Sequence, residues 1–102
     1  MNILFVCNQG KYRSKTAQDL FAKKYETDSA GIFSKINPLT IEKIKIADVI
    51  FTMEDYQRNE IAIRFPKEYL EKKIITLEIA DIYKYNDEKL IKLLKKKIKN
   101  YI

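Results

Sequence analysis

Residues 2–14 read NILFVCNQGKYRS: an apolar run from Ile3 to Val6, then Cys7, then a polar stretch with one glycine that ends on Arg13 and Ser14. A continuous apolar run that stops abruptly has the pattern of a strand buried on both faces, as in a parallel sheet. From Ser14 the pattern changes. Ala17, Leu20, Phe21, Lys24 and Tyr25 fall at three- and four-residue spacing, which predicts a helix reaching Tyr25. The stretch is therefore strand, loop, helix.

Outward from it the same alternation continues. Thr27 to Ile32 reads as a short strand end that gives way to a loop through Ala30-Gly31. Pro38 predicts the start of a helix, because its fixed φ suits a first turn, with Leu39, Ile41, Ile44 and Ala47 facing inward. Val49 to Met53 is a buried strand, Glu54 to Phe65 a helix stopped by Pro66, and Lys73 to Leu77 another strand. Asn86 is expected to N-cap the last helix, with Asp87 and Glu88 in its first turn and Leu90, Leu94, Ile98 and Tyr101 as its inner stripe. This order implies an α/β protein: a single three-layer domain over residues 1–102, with a mostly parallel, four-stranded sheet flanked by helices. In such sheets ligands bind beyond the carboxyl ends of the strands, at a switch in strand order. The loop after Cys7 is the first such place.

Composition narrows the chemistry. A chain of 102 residues supports one core, and 46% hydrophobic with 33% charged residues is the balance of a folded, soluble protein. The chain has no His, so Ser-His and Cys-His nucleophile pairs and imidazole zinc sites are excluded. The single Cys allows no internal disulfide and no thiolate cluster, which points to the reducing cytoplasm. No apolar run approaches the roughly 18 residues of a membrane span, and no secretory signal is expected.

The formal charge of +6 invites a nucleic-acid reading. Residues 1–88, however, hold 14 acidic and 14 basic side chains. The whole excess is Lys89, Lys92, Lys95, Lys96, Lys97 and Lys99, on the outer faces of the terminal helix. A nucleic-acid partner is therefore not expected.

The loop from Cys7 to Ser14 carries the reactive groups. Successive backbone N–H groups in a curled loop form an anion nest, and the following helix adds its unpaired N–H groups and dipole. Arg13 supplies a planar fork able to hold two phosphate oxygens. Gly10 suits a tight turn with positive φ. That field favours the thiolate of Cys7, and the Ser14 hydroxyl is able to donate to the sulfur. With three Arg and eight Ser or Thr in the chain, Arg and Ser/Thr fall at these two positions by chance about one time in four hundred.

These residues resemble the low-molecular-weight protein tyrosine phosphatase family, which places Cys, five residues, Arg and Ser directly after its first strand. The similarity extends to Ser29-Ala30-Gly31, to Ala47 through Glu54, and to Asp81-Ile82-Tyr83, which resembles the family's Asp-Pro-aromatic acid loop. The resemblance implies a cysteine-dependent hydrolase of phosphotyrosine proteins. In it Cys7 is the nucleophile, Arg13 binds the equatorial oxygens and Asp81 is general acid and base. Asn8, Gln9, Gly10, Lys11, Tyr12, Ser14 and Tyr83 make up the substrate-binding set, the Lys11 side chain being read as an exposed charge. Tyr12, Tyr83 and Tyr85 are expected to wall a slot for an aromatic phosphoester. No metal or other cofactor is implied, and the oligomeric state is open.

The chain departs from that family at Gln9 (usually Gly), at Gly10 (usually Asn), at Tyr12 (often Cys) and at Ile82 (usually Pro). Gly10 meets a demand for positive φ but brings no side chain to brace the loop. Other readings of the same residues are a phosphate- or nucleotide-binding module without turnover, an arsenate reductase-like protein and a nucleic-acid-binding protein.

Overall fold

The computed structural model describes residues 1–102. In chain order the elements are β1 (Asn2–Cys7), α1 (Arg13–Phe21), β2 (Glu26–Gly31), α2 (Ile41–Ile46), β3 (Val49–Thr52), α3 (Asp55–Arg64), α4 (Pro66–Glu71), β4 (Lys73–Thr76) and α5 (Glu88–Ile98). The four strands form one sheet in the order β2-β1-β3-β4, and every pairing is parallel. No helix is long and apolar enough to cross a membrane.

The alternation of β1 explains the layers. Ile3, Phe5 and Cys7 belong to one core with Ala17, Phe51 and the α5 stripe Leu90, Leu94 and Ile98. Leu4 and Val6 belong to a second core with Ile44 of α2, Ile50 and Ile61 of α3. Successive side chains of a strand point to opposite faces, so one strand, apolar from Ile3 to Cys7, feeds both cores. Phe5 lies between the rings of Phe21 and Phe51, at centroid distances of 6.0 and 5.7 Å. β1 therefore sits inside the sheet, with β2 on one side and, after the chain crosses back past it, β3 on the other. Its carboxyl end is the switch in strand order.

Several boundaries differ from the sequence expectation, each for a local reason. α1 stops at Phe21, whose carbonyl accepts from both Lys24 and Tyr25. Ala30 and Gly31 continue β2 rather than forming a loop, because they pair with Val6 and Cys7. Pro38 does not open α2: it bridges to Gly31, and the helix starts after Thr40, whose Oγ1 accepts from the Lys43 N–H at 3.3 Å. Pro66 ends α3 and also begins α4 at its first turn, a position that wastes no hydrogen bond. The cap of α5 is Asp87, which accepts from the Lys89 N–H at 2.8 Å. Asn86 instead takes φ +61° and donates its N–H to Thr16 Oγ1. Tyr101 lies beyond α5, half-exposed, with its ring tilted over Phe51.

Candidate active site

The site forms where β1 ends and α1 begins. Cys7 is buried, its sulfur 3.0 Å from Ser14 Oγ. The N–H of Gly10 donates to the same sulfur at 3.2 Å. The backbone N–H groups of Gln9, Lys11, Tyr12, Arg13 and Ser14 donate to no protein acceptor. Tyr12, at the N-cap of α1, makes no side-chain cap. A loop of unpaired donors thus runs into an uncapped helix N-terminus, the arrangement that favours an anion.

Arg13 is 1% exposed, and its guanidinium is held from two elements. Nη1 donates to Glu54 Oε1 at 2.5 Å and to the Ile79 carbonyl at 2.7 Å. Nε lies 3.6 Å from Asp81 Oδ1. Nη2 is buried and has no partner in the protein. Unpaired buried donors of a charged group are costly, and here the free one belongs to the residue at the head of α1.

Asp81 reaches the site from the segment after β4. Leu77 and Ile79 donate to Thr52 and Met53, so this segment runs on along β3 and places the Ile79 carbonyl against Arg13. The Asp81 carboxylate is about half exposed, and its Oδ2 accepts from Asn8 Nδ2 at 3.4 Å. The Asn8 side chain is turned toward α3, with Oδ1 accepting from Tyr56 Oη at 2.6 Å and Gln57 Nε2 at 3.0 Å. Gln57 Oε1 in turn accepts from the Met53 and Glu54 N–H groups. The far end of this segment is strapped to α1 by Tyr85, which donates to Asp19 Oδ2, and by the Asn86 N–H, which donates to Thr16 Oγ1.

The structure therefore brings together Cys7, Arg13, Ser14, Asp81 and the loop from Asn8 to Tyr12. The Lys11 side chain is exposed, its Nζ 5.5 Å from the Tyr12 ring centroid, and Gln9 is also exposed. Tyr83 packs against the core that α5 covers, and Tyr85 is engaged by α1. The exposed rings beside the loop are Tyr12, which was expected there, and Tyr56 and Phe33, which were not; Phe33 lines a cavity of about 450 Å³ with Gln9, Gly10 and Lys11. Glu54, Tyr56, Gln57 and Phe33 were not among the residues expected here. Glu54 and Gln57 carried a detectable signal, an acceptor and an amide three residues apart at the start of a helix after a buried strand.

The two glycines of the chain meet at this site. Gly10 has φ +63°, and a Cβ there would lie 2.7 Å from the Gly31 nitrogen. A Cβ on Gly31 would lie 2.3 Å from the Gln9 carbonyl carbon. The loop packs on the end of β2 at a distance that excludes any side chain from either position.

The sequence matches no family model and no curated protein. Solved structures do match. A low-molecular-weight protein tyrosine phosphatase from Bacillus subtilis is 25% identical, with 99% of each chain covered and a TM-score of 0.74. The tyrosine phosphatase Wzb from Escherichia coli K30, solved in complex with phosphate, is 20% identical over 98% of this chain and 94% of its own, with a TM-score of 0.77. The arginine phosphatase YwlE, in a mutant whose active-site serine is phosphorylated, is 24% identical over 99% of this chain and 97% of its own, with a TM-score of 0.75. Over nearly its whole length, the chain has the fold of the low-molecular-weight protein tyrosine phosphatases.

Proposed function

We propose that this protein is a phosphomonoester hydrolase that acts on phosphotyrosine in proteins through a phosphocysteine intermediate. The observation that carries the reading is the buried, unpartnered Nη2 of Arg13 beside a loop of unpaired backbone donors. A phosphoryl group satisfies both at once.

In the first step the Cys7 thiolate attacks phosphorus in line with the leaving oxygen. The P–S bond forms, the P–O bond to the phenol breaks, and Asp81 gives its proton to the departing oxygen. The negative charge on the equatorial oxygens rests on Arg13 and the loop amides. Ser14 Oγ and the Gly10 N–H stabilise the sulfur as it enters and as it leaves. In the second step the Asp81 carboxylate takes a proton from water, the water oxygen attacks phosphorus, and the P–S bond breaks to release inorganic phosphate. Substrate displaces the contact between Arg13 Nε and Asp81, which frees the carboxyl for the leaving group. The lone unpaired thiol suits the cytoplasm.

The test is hydrolysis of an aryl phosphate and of a phosphotyrosine peptide, with a phosphoarginine peptide as comparison. Cys7→Ser abolishes turnover, and Asp81→Asn lowers kcat by roughly a hundredfold or more. If wild type and Cys7→Ser are equally inactive while both bind phosphate, the protein is a binding module and not an enzyme. Preference for phosphoarginine would keep the mechanism and overturn the substrate class.

A further inference from the structure

Gly10 has no side chain to brace the phosphate loop, yet the place a side chain would take is filled. A Cβ built on Gly10 lies 2.9 Å from Asn37 Nδ2. Asn37 belongs to the segment between β2 and α2, 27 residues away in the chain. Its Nδ2 donates to the Gly10 carbonyl and to Ser29 Oγ, each at 3.1 Å. Its Oδ1 accepts from Lys43 Nζ at 2.5 Å. Lys43 also donates to the Ser29 carbonyl at 2.7 Å, and Ser29 Oγ donates to Gln18 Oε1 at 2.6 Å.

The chemistry of these groups fixes the orientation of the amide. An ammonium donates and never accepts, so Lys43 selects the oxygen of Asn37 and leaves both amide hydrogens for Ser29 and Gly10. The Gly10 carbonyl is thereby held outward from the loop, toward Asn37. Across a planar trans peptide the C=O and the next N–H point in opposite directions. Holding the Gly10 oxygen outward therefore turns the Lys11 N–H away from Asn37, and that N–H has no acceptor in the protein.

We propose that Asn37 is a positioning residue for the phosphate loop. With Lys43 and Ser29 behind it, Asn37 clamps the Gly10–Lys11 peptide so that the Lys11 N–H serves the bound phosphoryl group. The inference rests on the reading of this loop as a phosphate site. Nothing in the local sequence of the loop supplies this brace; it comes from the loop after β2.

The test uses the intact protein and inorganic phosphate, followed by calorimetry and by backbone amide NMR. In the wild type, phosphate shifts the Lys11 amide resonance. Asn37→Asp keeps the size and the partner Lys43 but removes both donated hydrogen bonds. It is expected to weaken phosphate binding roughly tenfold and to suppress the Lys11 shift while other loop amides still respond. Lys43→Met, which leaves Asn37 free to turn, is expected to give a smaller loss of the same kind, and it decides the question should Asn37→Asp not fold. Wild-type affinity with an unchanged Lys11 response in either folded variant overturns the proposal. A wild type that binds phosphate through Lys11 but hydrolyses no ester leaves the brace standing and removes the catalytic reading. Failure of the wild type to bind phosphate overturns both.

Discussion

Arg13 Nη1 and Glu54 Oε1 lie 2.5 Å apart, joining the head of α1 to the residue that precedes α3. The ion pair fills one corner of the guanidinium and leaves Nη2 free. Glu54→Gln retains a hydrogen-bond acceptor and loses the charge. We expect kcat to fall about tenfold with little change in KM, read from aryl phosphate kinetics. Glu54→Ala leaves a buried cation short of its partner. The Glu54 side chain is 31% exposed, so the destabilisation sits below the range of fully buried pairs, at about 2 kcal/mol by urea denaturation.

Asn8 links Asp81 to α3, since its carbonyl oxygen is claimed by Tyr56 and Gln57 and its amide is left for the Asp81 carboxylate. Asn8→Ala releases that carboxyl. The expected result is a three- to tenfold lower kcat with phenols of high pKa and a near-normal kcat with p-nitrophenyl phosphate, whose leaving group needs little protonation. Equal losses on both would contradict a role through Asp81.

Gly31→Ala asks the packing to yield where it has no room, with the added carbon 2.3 Å from the Gln9 backbone. The phosphate loop is the exposed partner and is the part that moves. A loss of at least tenfold in phosphate affinity is expected, with a stability cost of about 1–3 kcal/mol. Calorimetric titration and urea denaturation separate the two effects.

The bond from Tyr85 to Asp19 has a pH signature. That hydrogen bond, then desolvation and the Asp19 charge, raise the phenol pKa above its ordinary 10.0. A group whose folded pKa is raised contributes stability below its unfolded pKa and loses it as pH rises through the folded value. Wild type should therefore melt above Tyr85→Phe by a constant margin near neutrality, and the margin should close in strong alkali. Melting curves from pH 7 upward check this; a gap that persists or widens above pH 10 would count against the strap.

The sheet was legible because its central strands carry the apolar runs Ile3–Cys7 and Val49–Phe51, and α5 because Leu90, Leu94 and Ile98 recur at helical spacing. Boundaries failed where distant partners decide them. Ala30-Gly31 has turn composition, but Val6 and Cys7 draw it into the sheet. Asn86 is a good cap in isolation, but Thr16 takes its N–H and Asp87 caps instead. The site divides the same way. Cys7, Arg13 and Ser14 fall within one stretch of eight residues and were read from it. Glu54 lies 41 residues from the arginine that it holds, and Asn37 sits in a segment with no helical or strand period to betray its role.

The closeness of Gly10 to Gly31 has a consequence for folding kinetics. The phosphate loop is short and local, yet its shape depends on β2 behind it, on Lys43 from α2 and on the Ile79 carbonyl beyond β4. The capacity to bind an anion is therefore expected to emerge only after these long-range partners have docked, late on the folding path. A ligand that recognises only the finished loop stabilises the native state without stabilising the transition state. Added phosphate is thus expected to leave the refolding arm of the chevron in place and to lower the unfolding arm, slowing the escape of molecules that are already folded.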